Sequence, residues 1–323
     1  MNNQNPIIST TTVAIKIVGI GSAGCNAVQR IYSGGKARDC ASFLIIHTDL
    51  QSLEHNAVPE ILHISEVQGF WSNPAEAAEA QADAIRKALS DGTQMVIIIA
   101  GMGGSTGTGV APIVARIAGE LGIVAVGLVT IPFTFEGLNR LRAASDGMEK
   151  MRQLAAVFTV NNNRLVETYP DLNFSNAMST SDEVLAATVE TLMGICTALS
   201  FISLDFDDIK RALCHPGEAV LMSGTAQGER RIARAIEAAL FPSAMPDDVA
   251  GAKSVILQLC YAEENPVQIK ELSAIEDFVK KLHPDVSVMW CASVDPSLGK
   301  DVKIVILATG LEHDVLDDGQ TQE

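Results

Sequence analysis

A glycine-rich stretch, "GMGGSTGTG" (101–109), follows the apolar run "MVIIIA" (95–100). Near-continuous hydrophobicity over six residues is typical of a strand covered on both faces in a parallel sheet. Beyond the glycines, apolar residues recur at helical spacing from Val110 to Leu121. A strand, a glycine turn and a helix in this order predict an α/β unit whose turn holds an anion, because backbone N–H groups at a helix N-terminus bind anions only where no side chain obstructs them.

Strands and helices alternate through the first half of the chain, which predicts a doubly wound parallel sheet in an α/β domain with ligands beyond the carboxyl ends of the strands. In the second half of the chain the pattern changes to strand-like segments with two helical patterns, which predicts a smaller α+β domain. A long helix with Ser181 as its N-cap is predicted to join the two domains. The predicted strands of the first half cover 13–20, 42–49, 95–100 and 123–131; the predicted helices cover 73–92, 181–202, 228–240 and 267–282.

The formal net charge of −16 argues against a nucleic-acid surface and against direct binding to an anionic membrane, because both need clustered basic residues. No apolar run reaches the roughly 18–20 residues that span a bilayer, and the N-terminus lacks a secretory signal pattern. The six cysteines are scattered without a C-x-x-C pair, as expected for reduced thiols. These features predict a cytoplasmic protein.

A second glycine turn, "GIGSAGCN" (19–26), fits G-x-G-x-x-G between a predicted strand and a predicted helix. By itself, with Asp49 after the next strand, it indicates a dinucleotide site such as that of an NAD-dependent dehydrogenase. Two such turns, each opening a helix, favour a ligand with several phosphate charges. The chain contains no G-x-x-x-x-G-K-[ST] pattern, so a Walker P-loop is excluded.

The sequence resembles the tubulin/FtsZ superfamily, and specifically FtsZ, from about residue 13 to residue 310. This resemblance implies a GTPase with a role in cell division or a related cytoskeletal process, which polymerises head-to-tail with GTP at each subunit interface. The collinear motifs that carry it are "GIGSAGCNAV", "HTD", "AGMGGSTGTGVAPIVA", "VTIPFTFEGLNR" and "LDFDDI".

The resemblance also implies a set of nucleotide-binding residues. Those expected around the phosphates and ribose are Gly21, Ser22, Gly24, Asn26, Gly103, Gly104, Ser105, Thr106, Gly107, Thr108, Thr130, Pro132, Glu136 and Arg140. Asn162 and Glu183 match positions that read the guanine edge. A carboxylate suits this task, because guanine offers an N1–H and an exocyclic amine as a donor pair and adenine does not.

Two aspartates, Asp205 and Asp208, stand three residues apart at a predicted helix start. Spacing alone favours an ordinary acidic helix entry, since Asp is common at caps and in first turns. The resemblance implies instead that both enter the nucleotide site of the neighbouring subunit and polarise the attacking water. Phosphates and carboxylates brought together in this way call for Mg²⁺.

The chain also departs from the FtsZ pattern. Phe70 and Trp71 occupy a loop (67–74) that in the family usually consists of small residues and lies close to the γ-phosphate, so we expect slow hydrolysis. His47 replaces Asn, Met178 replaces a Phe over the guanine, and Ser203 replaces an Asn before the aspartates. The short end of the chain leads us to expect no recruitment by the usual membrane adaptors.

Three functional hypotheses follow. The leading one is a GTPase that self-assembles and hydrolyses GTP between subunits. The alternative is a GTP- or GDP-binding structural module with little hydrolysis that co-assembles with another FtsZ, and the third is the dehydrogenase. The predicted segments are a disordered leader (1–12), a nucleotide-binding domain (13–180), a connecting helix with the catalytic loop (181–210), a C-terminal α+β domain (211–310) and an acidic tail (311–323).

Overall fold

The computed structural model describes residues 15–35, 37–38, 40–53, 56–65, 73–168, 173–197, 200–202, 204–241, 249 and 251–311. The strands are β1 (Ile15–Ile20), β2 (Ala41–His47), β3 (Glu60–His63), β4 (Met95–Gly101), β5 (Val124–Ile131), β6 (Ala156–Asn161), β7 (Ser200–Ile202), β8 (Gly217–Gln227), β9 (Ser254–Tyr261), β10 (Ser287–Val294) and β11 (Asp301–Leu311). The α-helices are α1 (Gly21–Gly34), α2 (Pro74–Ala80), α3 (Ala82–Leu89), α4 (Ser105–Glu120), α5 (Leu138–Arg152), α6 (Asn162–Thr168), α7 (Phe174–Thr197), α8 (Phe206–Leu213), α9 (Arg231–Ala239) and α10 (Ser273–Val279).

All described strands belong to one sheet, in the order β3-β2-β1-β4-β5-β6-β8-β11-β9-β10-β7. From β3 to β6 every pairing is parallel. Helices stand in the connections from β1 to β2, from β3 to β4, from β4 to β5 and from β5 to β6. In the second half β11 runs antiparallel to both β8 and β9. The doubly wound parallel sheet with a mixed α+β second half is therefore confirmed.

A short pairing joins the two halves of this sheet. Strands β6 and β8 run parallel and pair over three residues, Ala156–Phe158 against Gly217–Ala219. The neighbouring pairing of β8 with β11 extends over ten residue pairs. The segment boundaries at residues 180, 210 and 310 stay predictions.

The core explains why the central strands of the first half are mostly apolar. Ile17 and Ile97 pack into the hydrophobic cluster on one face of the sheet, whereas the adjacent Val18 and Ile98 pack into the cluster on the other face. Side chains of successive strand residues point to opposite faces, so a strand covered on both sides has few polar positions. Lys16 of β1 is an exception: it is buried, and its ammonium group pairs with Glu60 and Asp91.

The predicted start of the long helix was wrong. Helix α7 begins at Phe174, so Ser181 lies inside it and caps nothing. The Ser181 side chain is buried, and its hydroxyl donates to Asn162 Oδ1 over 2.9 Å. A serine within a helix reads like an N-cap in sequence, because its tertiary hydrogen-bond partner is not visible there.

The predicted helix at 73–92 is two helices, α2 and α3, which meet at Gln81. The Gln81 side chain donates to the backbone carbonyl of Ser65 over 3.0 Å. Because this is a tertiary contact, the break between the two helices is not visible in the sequence. In the part of the chain that the structure describes, no helix has the length and apolar character needed to cross a membrane.

Candidate nucleotide site

The N-termini of two helices meet at the carboxyl ends of β1 and β4. Helix α1 begins at Gly21 and α4 begins at Ser105. An ideal Cβ on Gly21 would lie 3.2 Å from the backbone nitrogen of Gly107, so the two turns are in contact. Neither helix has a side-chain cap or an acidic residue in its first turn. The free N–H groups and both helix dipoles therefore favour an anion between them.

A cavity of about 540 Å³ opens at this point. Its size falls within the roughly 300–1,000 Å³ typical of small-molecule sites. A cleft of similar volume, about 510 Å³, lies between α9 and α10 but contains no glycine turn. The residues that line the first cavity are Ile20, Gly21, Ser22, Ala23, His47, Thr48, Gly101, Met102, Gly104, Ser105, Thr106, Gly107, Thr130, Pro132, Glu136, Arg140 and Asn162.

Glycine is required in the two turns for different structural reasons. An ideal Cβ on Gly104 would meet no atom closer than 3.9 Å, and its φ of −85° and ψ of 147° suit any residue. A Cβ on Gly24 would lie 2.1 Å from the carbonyl oxygen of Ile99. Gly24 therefore lets α1 approach β4, whereas Gly104 leaves open the space that a ligand needs.

Hydroxyl side chains hold the second glycine turn in shape. Thr108 Oγ1 accepts from the backbone N–H of Gly103 over 2.9 Å, which closes the turn on itself. Thr106 Oγ1 lies 2.7 Å from Thr48 Oγ1 and links the turn to the loop after β2. Thr106 lines the cavity, while Gly103 and Thr108 support it from behind.

Glu136 is the one carboxylate among the residues that line the cavity, all of which belong to the described part of the chain. Both of its oxygens are engaged. Oε1 accepts from the backbone N–H of Phe133 over 2.9 Å, and Oε2 forms an ion pair with Arg140. This carboxylate positions Arg140 at the rim, and each of its oxygens already has a partner in the protein.

The two residues predicted to read guanine differ in placement. Asn162 is buried and lines the cavity, and its Oδ1 is occupied by Ser181, so its amide N–H₂ is left to donate. Glu183 does not line the cavity. Its Oε1 accepts from Arg30 over 2.5 Å, and Arg30 also donates to Ser179 over 3.2 Å.

Asp205 and Asp208 cap the start of α8 and do not line the cavity. Asp205 Oδ1 accepts from the Asp208 N–H over 2.7 Å, and Asp208 Oδ2 accepts from the Asp205 N–H over 3.2 Å. Asp208 Oδ1 is paired with Arg211. For Asp205 Oδ2 no partner is found among the residues that the structure describes.

His47 is buried at the cavity wall, and its role was not predicted. Its Nδ1 accepts from the backbone N–H of Asp49 over 2.8 Å, and its Nε2 lies 3.1 Å from Ser22 Oγ. Burial lowers the pKa of His47 below its ordinary value. The sequence signal was present, since "HTD" directly follows a buried strand, but sequence does not show which side chains meet.

The remaining differences concern single residues. Of the predicted phosphate-site residues, Gly24, Asn26, Gly103 and Thr108 lie outside the cavity lining. The carboxylate of Asp49 accepts from Ser52 Oγ and the Gln51 N–H, bonds that lower its pKa. It therefore shapes its own loop. Lining residues that were not predicted are Ile20, Ala23, Thr48, Gly101 and Met102.

Some predictions fall on residues outside the described part of the chain. These are Phe70 and Trp71 of the 67–74 loop, Ser203, the side chain of Met178, the leader (1–12) and, apart from Leu311, the acidic tail.

A doubly wound sheet with two glycine turns on one cavity is the architecture of a nucleotide-binding α/β protein. The sequence profile described as "Tubulin/FtsZ family, GTPase domain" matches residues 14–170, and the profile "FtsZ family, C-terminal domain" matches residues 217–312. The cell division protein FtsZ of Porphyromonas gingivalis is 40% identical over 97% of this chain and 70% of its own length. The chain belongs to the FtsZ family and is a guanine-nucleotide-binding GTPase of the cell-division type.

Other relatives agree with this assignment. Cell division protein FtsZ 1 of Archaeoglobus fulgidus is 32% identical over 95% of this chain and 84% of its own length. A structure described as an empty FtsZ dimer of M. jannaschii superposes with a TM-score of 0.80 at 30% identity, covering 94% of this chain and 90% of its own. CetZ2 from Haloferax volcanii, described as a GTPγS-bound protofilament, has a TM-score of 0.76 at 18% identity, covers 94% of each chain and shares the fold. The dehydrogenase hypothesis is wrong.

Proposed function

We propose that this chain polymerises head-to-tail into protofilaments, with GTP between subunits and with Asp205 and Asp208 of one subunit acting on the GTP of the next. The observation that carries the proposal concerns the carboxylates of the described residues. Their cavity lining offers several anion-binding groups, but its one carboxylate, Glu136, already accepts from Phe133 and Arg140. In this proposal a second chain supplies the carboxylates that polarise water.

Binding follows from the groups that line the cavity. The uncapped N–H groups of α1 and α4 would donate to phosphate oxygens, with Arg140 at the rim as a further cation. Asn162 would donate its amide hydrogens to the guanine, and Glu183 would accept from the N1–H and the amine after a change of its contact with Arg30. Thr130 and Pro132 would flank the ribose.

Hydrolysis needs a group that orients and polarises water beside the γ-phosphate. Asp205 Oδ2, which has no partner among the described residues, is free to accept from that water. Asp208 is tied through Oδ1 to Arg211, a mostly exposed side chain that can release it on assembly. Because these carboxylates lie at the start of α8, outside the cavity, assembly would control turnover.

Contacts between subunits are supported by exposed apolar side chains at both places. Phe135 and Leu138 flank Glu136 at the cavity rim and are 67% and 70% exposed. Ile202, 42% exposed, lies three residues before Asp205. Two different surfaces in contact make a heterologous interface, which propagates into a filament when the rotation does not close.

Mg²⁺ belongs to this proposal as a companion of the nucleotide. No cluster of three His, Cys, Asp or Glu side chains suited to a metal occurs among the described residues. Mg²⁺ usually keeps several waters and binds through substrate phosphates, so a site without such a cluster fits it. When bound, it would neutralise part of the phosphate charge. A cytoplasmic location, and self-association without nucleic acid or direct membrane contact, complete the proposal.

Complementation between two impaired variants tests the shared site. Gly104→Val fills the ligand space on a backbone that accepts valine, and Asp208→Asn removes a carboxylate while keeping a capping acceptor. At a GTP concentration that saturates only the wild type, each variant alone should hydrolyse little GTP. A mixture should regain measurable turnover, since the nucleotide of an Asp208→Asn subunit meets the intact aspartates of a Gly104→Val subunit.

The matched control is a mixture of Asp205→Asn with Asp208→Asn, which places no intact pair of aspartates at any interface and should stay inactive. Turnover of the first mixture that is no higher than that of the separate variants would refute the shared site. Wild-type specific activity that does not depend on protein concentration would refute it too.

A further inference from the structure

His47, Ser22 and the backbone of Asp49 form a hydrogen-bonded chain that ends at the cavity. His47 is 6% exposed, at the carboxyl end of β2. Ser22 belongs to the first turn of α1 and is exposed to the cavity. The two side chains meet with Nε2 and Oγ at 3.1 Å, while the N–H of Asp49 lies 2.8 Å from Nδ1.

These contacts assign the proton positions. A backbone N–H donates, so Nδ1 has to carry a lone pair, and the proton of the neutral ring sits on Nε2. Nε2–H then donates to Ser22 Oγ. A hydroxyl that accepts a hydrogen bond from behind keeps its own hydrogen available for an acceptor in front, and in front of Ser22 is the cavity.

We infer that His47 is a positioning residue for nucleotide binding, which orients the Ser22 hydroxyl to donate to a phosphate oxygen. This inference rests on the proposed assignment of the cavity to the nucleotide. His47 acts through Ser22 and does not touch the phosphate. The Asp49 backbone fixes the ring, so the chain runs from Asp49 N–H to His47, from His47 to Ser22, and from Ser22 to the ligand.

The neutral ring is the working form. Protonation would place a hydrogen on Nδ1 facing the Asp49 N–H, which breaks the first link. The titratable groups that face His47 are the Asp49 carboxylate, which favours the cation, and His63 on the paired strand β3, which opposes it. The first turns of α1 and α4 contribute no acidic residue. Burial is the largest influence and keeps the pKa of His47 below its ordinary value.

Two amide variants separate the two ring nitrogens. His47→Asn is too short to reach Ser22 and places its amide near the Nδ1 position, so it keeps the contact to Asp49 and loses the one to Ser22. His47→Gln reaches the Nε2 position and keeps a donor to Ser22. Both side chains are uncharged over the whole accessible pH range, so neither can reproduce a histidine titration.

The experiment is GDP binding by calorimetry, with GDP chosen so that no hydrolysis occurs. We expect Ser22→Ala to weaken binding about 10- to 100-fold, the range for a hydrogen bond to a charged group, and His47→Asn to weaken it about 3- to 10-fold. His47→Gln should stay close to wild type. In the double variant Ser22→Ala/His47→Asn the loss should equal that of Ser22→Ala alone, because the two act in series.

The pH profile supplies the second readout. Protonation of Nδ1 removes the contact of His47 with the Asp49 N–H, so the ratio of the wild-type to the His47→Gln affinity should change as the pH falls through the lowered pKa of His47, and the ratio cancels the titration of the ligand. Additive losses in the double variant, or equal losses for His47→Asn and His47→Gln, would overturn the inference.

Wild-type binding decides whether the cavity itself is assigned correctly. If Gly104→Val binds GDP about 10- to 100-fold more weakly than the wild type, the nucleotide site stands whatever the His47 variants do. If Gly104→Val binds as tightly as the wild type, the assignment of the cavity fails, and the inference about His47 fails with it.

Discussion

The start of α8 and the starts of α1 and α4 are all helix N-termini, and they use their N–H groups in opposite ways. At α8 the carboxylates of Asp205 and Asp208 cap the helix themselves. At α1 and α4 no side chain caps the first turn, and a cavity of about 540 Å³ takes the place of a cap. A helix N-terminus that its own chain leaves uncapped offers donors to a ligand, whereas a capped one presents carboxylates.

The largest effect should come from the capped helix. Replacing Asp208 by Asn is expected to lower GTP turnover by about 10²–10⁴-fold, because a group that activates water is lost. GDP affinity should not change, since Asp208 lies outside the cavity. Steady-state phosphate release and calorimetry measure the two quantities. A loss of GDP affinity as large as the loss of turnover would place Asp208 in the cavity of its own chain. The capped and uncapped helix N-termini would then not have separate roles.

Changes at the uncapped helices should affect nucleotide binding and not the activation of water. Gly104→Val is expected to weaken GDP binding about 10- to 100-fold, since a side chain in the ligand space displaces hydrogen bonds to charged phosphate oxygens. Gly119→Val, on the exposed face of the same helix, has equally open space around it and serves as the matched control. Equal affinities for the two variants would exclude the second glycine turn from the site.

Gly24 tests which glycines serve packing. Gly24→Ala puts a Cβ 2.1 Å from the carbonyl oxygen of Ile99, and we expect it to lower the free energy of unfolding by about 1–3 kcal/mol through overpacking. Gly119→Ala, in an exposed helical position, should instead raise it by about 0.5–1 kcal/mol. Denaturant unfolding measures both. A Gly24→Ala protein of wild-type stability would mean that α1 does not approach β4 so closely.

Ser181 tests the support of the guanine end of the cavity. Ser181→Ala removes the donor to the buried Asn162 Oδ1 and should cost about 1 kcal/mol of stability. It should also reduce the preference for GDP over ADP, because the amide of Asn162 is then free to turn. Ser179→Ala removes only an acceptor from the exposed Arg30 and is the control. An unchanged nucleotide preference in Ser181→Ala would show that Asn162 is held by other contacts.

The smallest effect should come from Arg211, which pairs with Asp208 at an exposed position. Arg211→Ala should change the free energy of unfolding by less than about 1 kcal/mol, the usual worth of a surface ion pair. If assembly has to release Asp208 from Arg211, turnover of this variant should rise at low protein concentration. A fall in turnover would instead show that Arg211 holds Asp208 in its working position.

The fold was predictable because it rests on local patterns. Strands such as β4 are apolar on both faces, and glycine turns open α1 and α4, so local patterns located the parallel sheet and the two turns. The resemblance to FtsZ supplied the other predicted residues that line the cavity. What could not be predicted depends on tertiary partners. Ser181 was predicted as a cap because its partner Asn162 is distant in sequence, and the end of α2 at Gln81 was missed because the contact of Gln81 with Ser65 is tertiary. His47 was noted only as a substitution, because its contacts with Ser22 and Asp49 are seen only in the structure. Glycines look alike in sequence, although Gly24 serves packing and Gly104 leaves space.

The three-residue pairing of β6 with β8 bears on how the chain unfolds. Few ladder hydrogen bonds cross this junction, so the halves are held together mainly by side chains, among them Ile209 and Leu213 of α8, which pack in one cluster with residues of both halves. The second half also has a cluster of its own around Val220 and Leu257. Amide hydrogens on the two sides of the junction should therefore exchange as two cooperative units, with α8 setting the free energy that couples them.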